Sequence, residues 1–114
     1  MPGSGKTFRT ASLYREEKVN KKIRTQNVDQ LFEAVLKLEN KEECYTFSED
    51  ICTPNELLSL SQRFDVGIRL LNGQTYQEIC ASNGASTATI SRVNRLLSDD
   101  NEGIEMAAER IRKS

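Results

Sequence analysis

The sequence specifies an all-α fold, and three features point to it. Apolar residues recur at three- and four-residue steps along most of the chain from residue 27 onward. Asn72-Gly73 and Asn83-Gly84 each close a helical pattern, where a residue tolerant of positive φ is wanted. Thr53, Thr75 and Ser86 stand just ahead of such patterns, where a hydroxyl can cap the first free N–H groups.

Residues 1–25 carry seven basic groups (Lys6, Arg9, Arg15, Lys18, Lys21, Lys22 and Arg24) against Glu16 and Glu17, a net +5, while the rest of the chain carries −6. A basic N-terminal arm over 1–25 therefore precedes an acidic body over 26–113. The arm suits a phosphate backbone, and it equally suits a solubilising tail. GSGKT near its start lacks the setting of a nucleotide-binding loop, whose first Gly would fall ahead of Met1. Leu13, Tyr14, Val19 and Ile23 give residues 11–25 a weak helical pattern.

The first firm helix starts at Asn27 as cap, with Val28, Leu31, Phe32, Val35 and Leu36 on a broad apolar face suited to core or dimer packing. A second spans 41–51, with Cys44, Tyr45 and Phe47 near the core and Glu42, Glu43, Glu49 and Asp50 in solvent. Thr53-Pro54-Asn55-Glu56 is a strong helix start: a hydroxyl cap, Pro in the first helical position and Glu at the third. From there Leu57, Leu60, Phe64, Ile68 and Leu71 form one apolar face of a long helix, the expected scaffold.

Asn72-Gly73 ends that helix and Thr75 caps the next. Helical patterns over 76–82 and 86–97, joined through Gly84, have the spacing of a helix-turn-helix. Ile79, Ala85, Ile90, Val93 and Leu97 can face one another across the angle, with Cys80 as the small residue where the helices cross. Ser86 caps the second helix, and Thr87, Ala88, Thr89, Ser91, Arg92 and Arg95 spread over its remaining faces. These types suit a major groove: hydroxyls reach phosphates or base edges, a methyl meets the thymine methyl, and Arg forks onto guanine or grips phosphate. An αα-hairpin serving only as architecture would use the same spacing. The protein would then be a helical interaction module whose acidic body meets a basic partner. The acid-free second helix, with two arginines, favours DNA. After a polar turn at 98–103, a helix over 104–112 has a thin stripe of Ile104, Ala107, Ala108 and Ile111, too little to stand alone, so it must dock.

Composition narrows the classes further. A chain of 114 residues has room for one domain that buries roughly 60 to 70% of its unfolded surface. With 37% hydrophobic residues, 6% aromatic and no Trp, it has little bulk for a core of its own, and a core shared by two chains would help. No His is present, which removes the commonest general base and metal ligand, so no enzyme activity, catalytic residue, metal site or cofactor is expected. Cys44, Cys52 and Cys80 form no C-x-x-C pair and are odd in number, as reduced cytosolic thiols would be. No apolar run reaches the ~20 residues of a membrane span and no signal-peptide pattern appears, so a cytoplasmic location is expected.

The segment LLNGQTYQEICASNGASTATISRVNRLL resembles the Trp-repressor-like family of bacterial regulators, most of all its YerC/YecD branch, and the resemblance runs from about residue 27 to 110. It implies a Trp-repressor-like helical bundle in which two chains interlock as a homodimer. Paired reading helices then enter successive major grooves of double-stranded DNA, at a near-palindromic operator with half-sites about one turn apart. It marks Ser86, Thr87, Ala88, Thr89 and Ser91 as DNA-facing, with Thr75 ahead of them, and suggests that the basic arm also approaches DNA. Thr53, Arg63 and Arg92 match positions that hold L-tryptophan in the family's namesake. At the next position, where the namesake has the Gly that lets the indole lie flat, this chain has Val93. The overpacking typically costs about 1 to 3 kcal/mol, so a tryptophan-independent regulator is expected, with any effector unknown.

Overall fold

The computed structural model describes residues 21–99 and 101–114. Six α-helices follow a 3-10 turn at Lys21–Ile23, and no strand occurs among the described residues. They are α1 (Gln26–Lys37), α2 (Lys41–Ile51), α3 (Pro54–Leu71), α4 (Tyr76–Asn83), α5 (Thr87–Ser98) and α6 (Gly103–Lys113). The expectations for residues 1–20, including most of the basic arm and GSGKT, lie outside the described residues. Among the described residues no helix is long and apolar enough to cross a membrane.

The chain divides into two units between Phe47 and Ser48. In the first, Thr25 caps α1, its hydroxyl accepting from the Val28 N–H at 3.2 Å. Asn27, the expected cap, lies inside the helix: Thr25 wins because its extended backbone can turn its hydroxyl onto the first free N–H groups. Neither α1 nor α2 holds a buried residue. The expected core position of Cys44, Tyr45 and Phe47 is therefore corrected. Cys44 and Tyr45 are exposed and Phe47 is half-buried, because the few apolar side chains among α2's polar ones leave it no face wide enough to bury.

The second unit is organised on α3, against which α4, α5 and α6 all pack. Its start is a full capping box: the Glu56 N–H donates to Thr53 Oγ1 at 3.1 Å and the Thr53 N–H to Glu56 Oε1 at 2.8 Å, with Pro54 in the first turn. Gly73 ends the helix region with φ 83°, as the Asn-Gly pair implies. The core consists of Val66, Ile79, Ala85, Ile90 and Val93, flanked by Leu70, Tyr76, Cys80 and Ile104. On α3 the inward face is thus Val66, Gly67 and Leu70, not the expected Leu57-Leu60-Phe64-Ile68-Leu71 stripe, whose Leu60 and Leu71 are exposed. The helix carries two apolar stripes, and its neighbours within the chain cover the narrower one.

α6 docks as its thin stripe requires. Ile104 lies over Gly67 so closely that a Cβ there would meet Ile104 Cγ2 at 2.7 Å and Cδ1 at 2.8 Å. The missing side chain is what lets the two helices approach.

Candidate nucleic-acid interface

The motif is set by two caps and a glycine. Thr75 starts α4 with a second capping box, its N–H donating to Glu78 Oε1 at 2.7 Å and its Oγ1 accepting from the Glu78 N–H at 3.2 Å. Gly84 ends α4 in the left-handed conformation, φ 81°, with its N–H on the Cys80 carbonyl at 3.0 Å. That conformation turns the chain within three residues into α5, and it is one that L side chains rarely adopt. Ser86 then caps α5: Oγ accepts from the Thr89 N–H at 3.1 Å and donates to Thr89 Oγ1 at 3.1 Å.

α5 is two-faced. Ile90 and Val93 are fully buried against α3 and α4, and Leu97 is half-buried one turn on. Ala88, Ser91, Arg92 and Arg95, related by three- and four-residue steps, form the opposite stripe, with Ala88 and both arginines exposed and Ser91 half-buried. Thr87 is exposed in the first turn and Thr89 half-buried beside the cap. Arg92 and Arg95 have no hydrogen bond or ion pair among the described residues, and no acidic residue lies in α5. The free N–H groups and positive dipole end of this helix are therefore not offset by a carboxylate, and an anion is welcome there.

The three residues aligned with a ligand site are placed differently. The Thr53 hydroxyl is engaged in the α3 cap. Arg63 lies exposed on α3, its guanidinium donating to Ser59 Oγ at 3.4 Å. It borders a shallow depression of about 480 Å³ lined also by Ile51, Cys52, Asn55, Glu56, Ser59 and Leu60; Thr53 and Arg92 are not among its walls. Val93, only 1% exposed, belongs to the core.

Sequence reasoning missed a polar network behind the motif. Asp65 Oδ2 accepts from Arg69 Nε and from Asn83 Nδ2, both at 2.7 Å, and the Arg69 guanidinium reaches Gln74 Oε1 at 3.4 Å. These two donors hold the Asp65 carboxyl below its ordinary value of 3.8, the Arg69 hydrogen bond first and Asn83 next, against a smaller opposing effect of burial. An i,i+4 Asp-Arg spacing hinted at the first bond. Nothing local hinted at the second, which joins residues 18 apart.

A short helix, a glycine corner and a second helix with an acid-free outer face together define a helix-turn-helix protein of the all-α class. The family description "Trp repressor protein" matches residues 26–112, and the chain belongs to that family. It is 48% identical over 93 residues to the uncharacterized protein YerC of Bacillus subtilis (strain 168), a match covering 82% of this chain and 89% of that one. Among solved structures, a TrpR-like protein from Eubacterium eligens ATCC 27750 superposes with a TM-score of 0.77 at 53% identity, over 81% of this chain and 95% of the other. A candidate Trp repressor from Staphylococcus aureus gives 0.77 at 49% identity, over 81% and 92%. The expected family and all-α architecture are thereby established.

Proposed function

We propose that this chain is a sequence-specific DNA-binding transcriptional regulator, a repressor, that acts as a homodimer through α4 and α5 and does not use L-tryptophan. The observation that carries the reading is the outer face of α5. Short hydroxyls and a methyl stand at a helix start without a carboxylate, and two arginines unpaired among the described residues continue the same face toward the last turn. Thr87, Ala88, Thr89 and Ser91 would meet base edges. Thr75, Ser86, Arg92 and Arg95 would hold phosphate or guanine.

Dimerisation is supported by apolar side chains left uncovered in each unit. Phe32 is 56% and Leu36 81% exposed in the first, and Leu58 65% exposed in the second. Patches of this kind in a regulator with little bulk mark a partner surface. Two-fold symmetry then calls for a near-palindromic operator. Tryptophan independence is supported by the residue at 93: where the resemblance implies a Gly that lets the indole lie flat, this chain has Val, and its side chain is packed into the core. The basic residues within 1–25 supply a sequence-independent grip.

The test is selection from a random duplex pool by the purified protein at physiological salt, with no ligand added. A palindromic consensus is expected, with affinity indifferent to L-tryptophan. Recovery of no consensus, with or without tryptophan, would reject the reading. Deleting residues 1–25 should flatten the slope of log affinity against log salt by about 0.9 for every phosphate the arm neutralises, and an unchanged slope would reject the arm's role.

A further inference from the structure

α4 is a short helix with one firm apolar anchor. Of its eight residues only Ile79 is fully buried, with Tyr76 and Cys80 half-buried on the same stripe, so apolar packing holds the helix along one line and leaves it some freedom to roll. Two polar ties remove that freedom. At the far end, Asn83, the last residue of α4, donates to Asp65 of α3. At the near end, Gln74, two positions before Tyr76, accepts from Arg69 of α3. Asp65 and Arg69 lie one helical turn apart on α3 and are bonded to each other, so the chain Gln74-Arg69-Asp65-Asn83 spans the length of α4. All four residues are half-buried, where charge-assisted bonds are partly sheltered from water. Beyond Asn83 only Gly84, Ala85 and Ser86 separate α4 from α5. The pose of one helix is passed directly to the other.

Resting on the DNA-reading function proposed above, we infer that Asp65, Arg69, Gln74 and Asn83 are a polar clamp that fixes the angle at which α5 is presented. They are positioning residues for sequence selectivity rather than contacts to DNA. Base readout tolerates small angular errors poorly, whereas phosphate attraction tolerates them well. Loosening the clamp should therefore cost selectivity more than overall affinity.

The chemistry of the ends gives the inference a sharp test. Asn and Gln amides each donate and accept, so the whole chain can be run in reverse. Asn83 Oδ1 is buried without a hydrogen-bond partner and can serve as the acceptor after the amide turns over. In Asp65→Arg/Arg69→Asp, the introduced guanidinium at 65 can donate to Asn83 while the introduced carboxylate at 69 accepts from Gln74, and the pair between positions 65 and 69 is kept. Either single change puts two like charges side by side and breaks the chain.

The experiment measures Kd for the selected operator and for a scrambled duplex, using the full chain at a temperature where circular dichroism shows it folded. Each single variant is expected to lower the ratio of specific to non-specific affinity about tenfold, and the double variant to return it to within about threefold of wild type. In an Asn83→Ala background the double change should restore nothing, which separates the clamp from a local ion pair on α3. An unchanged ratio in the single variants, or a double variant no better than either, overturns the inference while leaving DNA reading intact. If a single variant does not fold, the double variant decides: a folded protein with a near wild-type ratio supports the clamp, and an unfolded or unselective one overturns it. A wild-type chain that selects no operator overturns the DNA reading and the clamp with it.

Discussion

The two helices of the motif begin alike and are used differently. α4 and α5 each start from a hydroxyl residue in extended backbone that bonds the N–H three positions on. In α4 that third position is Glu78, whose carboxylate returns a bond to the cap and offsets the positive end of the helix. In α5 it is Thr89, which brings no charge. The same contrast separates α3, with Glu56, from α5. α3 and α4 satisfy their own N-termini with a carboxylate, and the helix proposed to read DNA leaves its charge for a partner.

The largest effect tests whether both helices stand on one core. Ile79→Ala and Ile90→Ala each empty a fully buried site, and each should cost about 2 to 5 kcal/mol in urea denaturation. A cost under about 1 kcal/mol at either would mean that its helix does not depend on the shared core. The contrast between the starts is tested next by moving the carboxylate. Thr89→Glu gives α5 the capping box of its neighbours, and should weaken DNA binding at least about tenfold without loss of stability. Glu78→Ala removes the carboxylate from α4 and should lower stability by about 0.5 to 1 kcal/mol in the same denaturation experiment. Thr89→Glu with undiminished affinity would place the DNA surface elsewhere.

The smallest effect is one of pH. Asp65 is held below 3.8 in the folded chain, so its ionised form stabilises the fold fully above that value, and the contribution disappears as pH falls through the lowered one. Urea denaturation between about pH 6 and about pH 3 should therefore show a part of the acid loss that Asp65→Asn removes. Identical acid dependence in the two proteins would show that the carboxyl contributes nothing through its charge.

Local chemistry is the legible part of this fold. Thr53 with Glu56, Thr75 with Glu78, and Ser86 before its helix are caps recognisable from residue type and spacing, and Gly73 and Gly84 sit at the turns where Asn-Gly requires them. The packing face of the motif, Ile79, Ala85, Ile90 and Val93, also follows from spacing, because one polar and one apolar side leave a single choice. Where two choices exist, the pattern cannot decide. Thr25 and Asn27 are both capping residues two positions apart, and α3 has two apolar stripes, of which the one with more leucines is not the one its own chain covers. An aromatic residue such as Tyr45 is expected inward, yet the polar side chains around it on α2 leave it 54% exposed. The Asp65-Asn83 bond and the seat of Ile104 on Gly67 depend on how distant segments meet, and no periodicity encodes that. At the candidate site the residue types are readable, while the lack of a partner for Arg92 and Arg95 among the described residues is visible only in three dimensions.

The core residues Val66, Ile79, Ala85, Ile90 and Val93 all come from one short, continuous run of sequence, with the most distant seat, Ile104, added from the C-terminal side. Few residues must be looped out before these side chains meet, so little chain entropy is surrendered before burial begins to repay it. Such a core rests on contacts of short sequence separation, the kind that goes with fast folding.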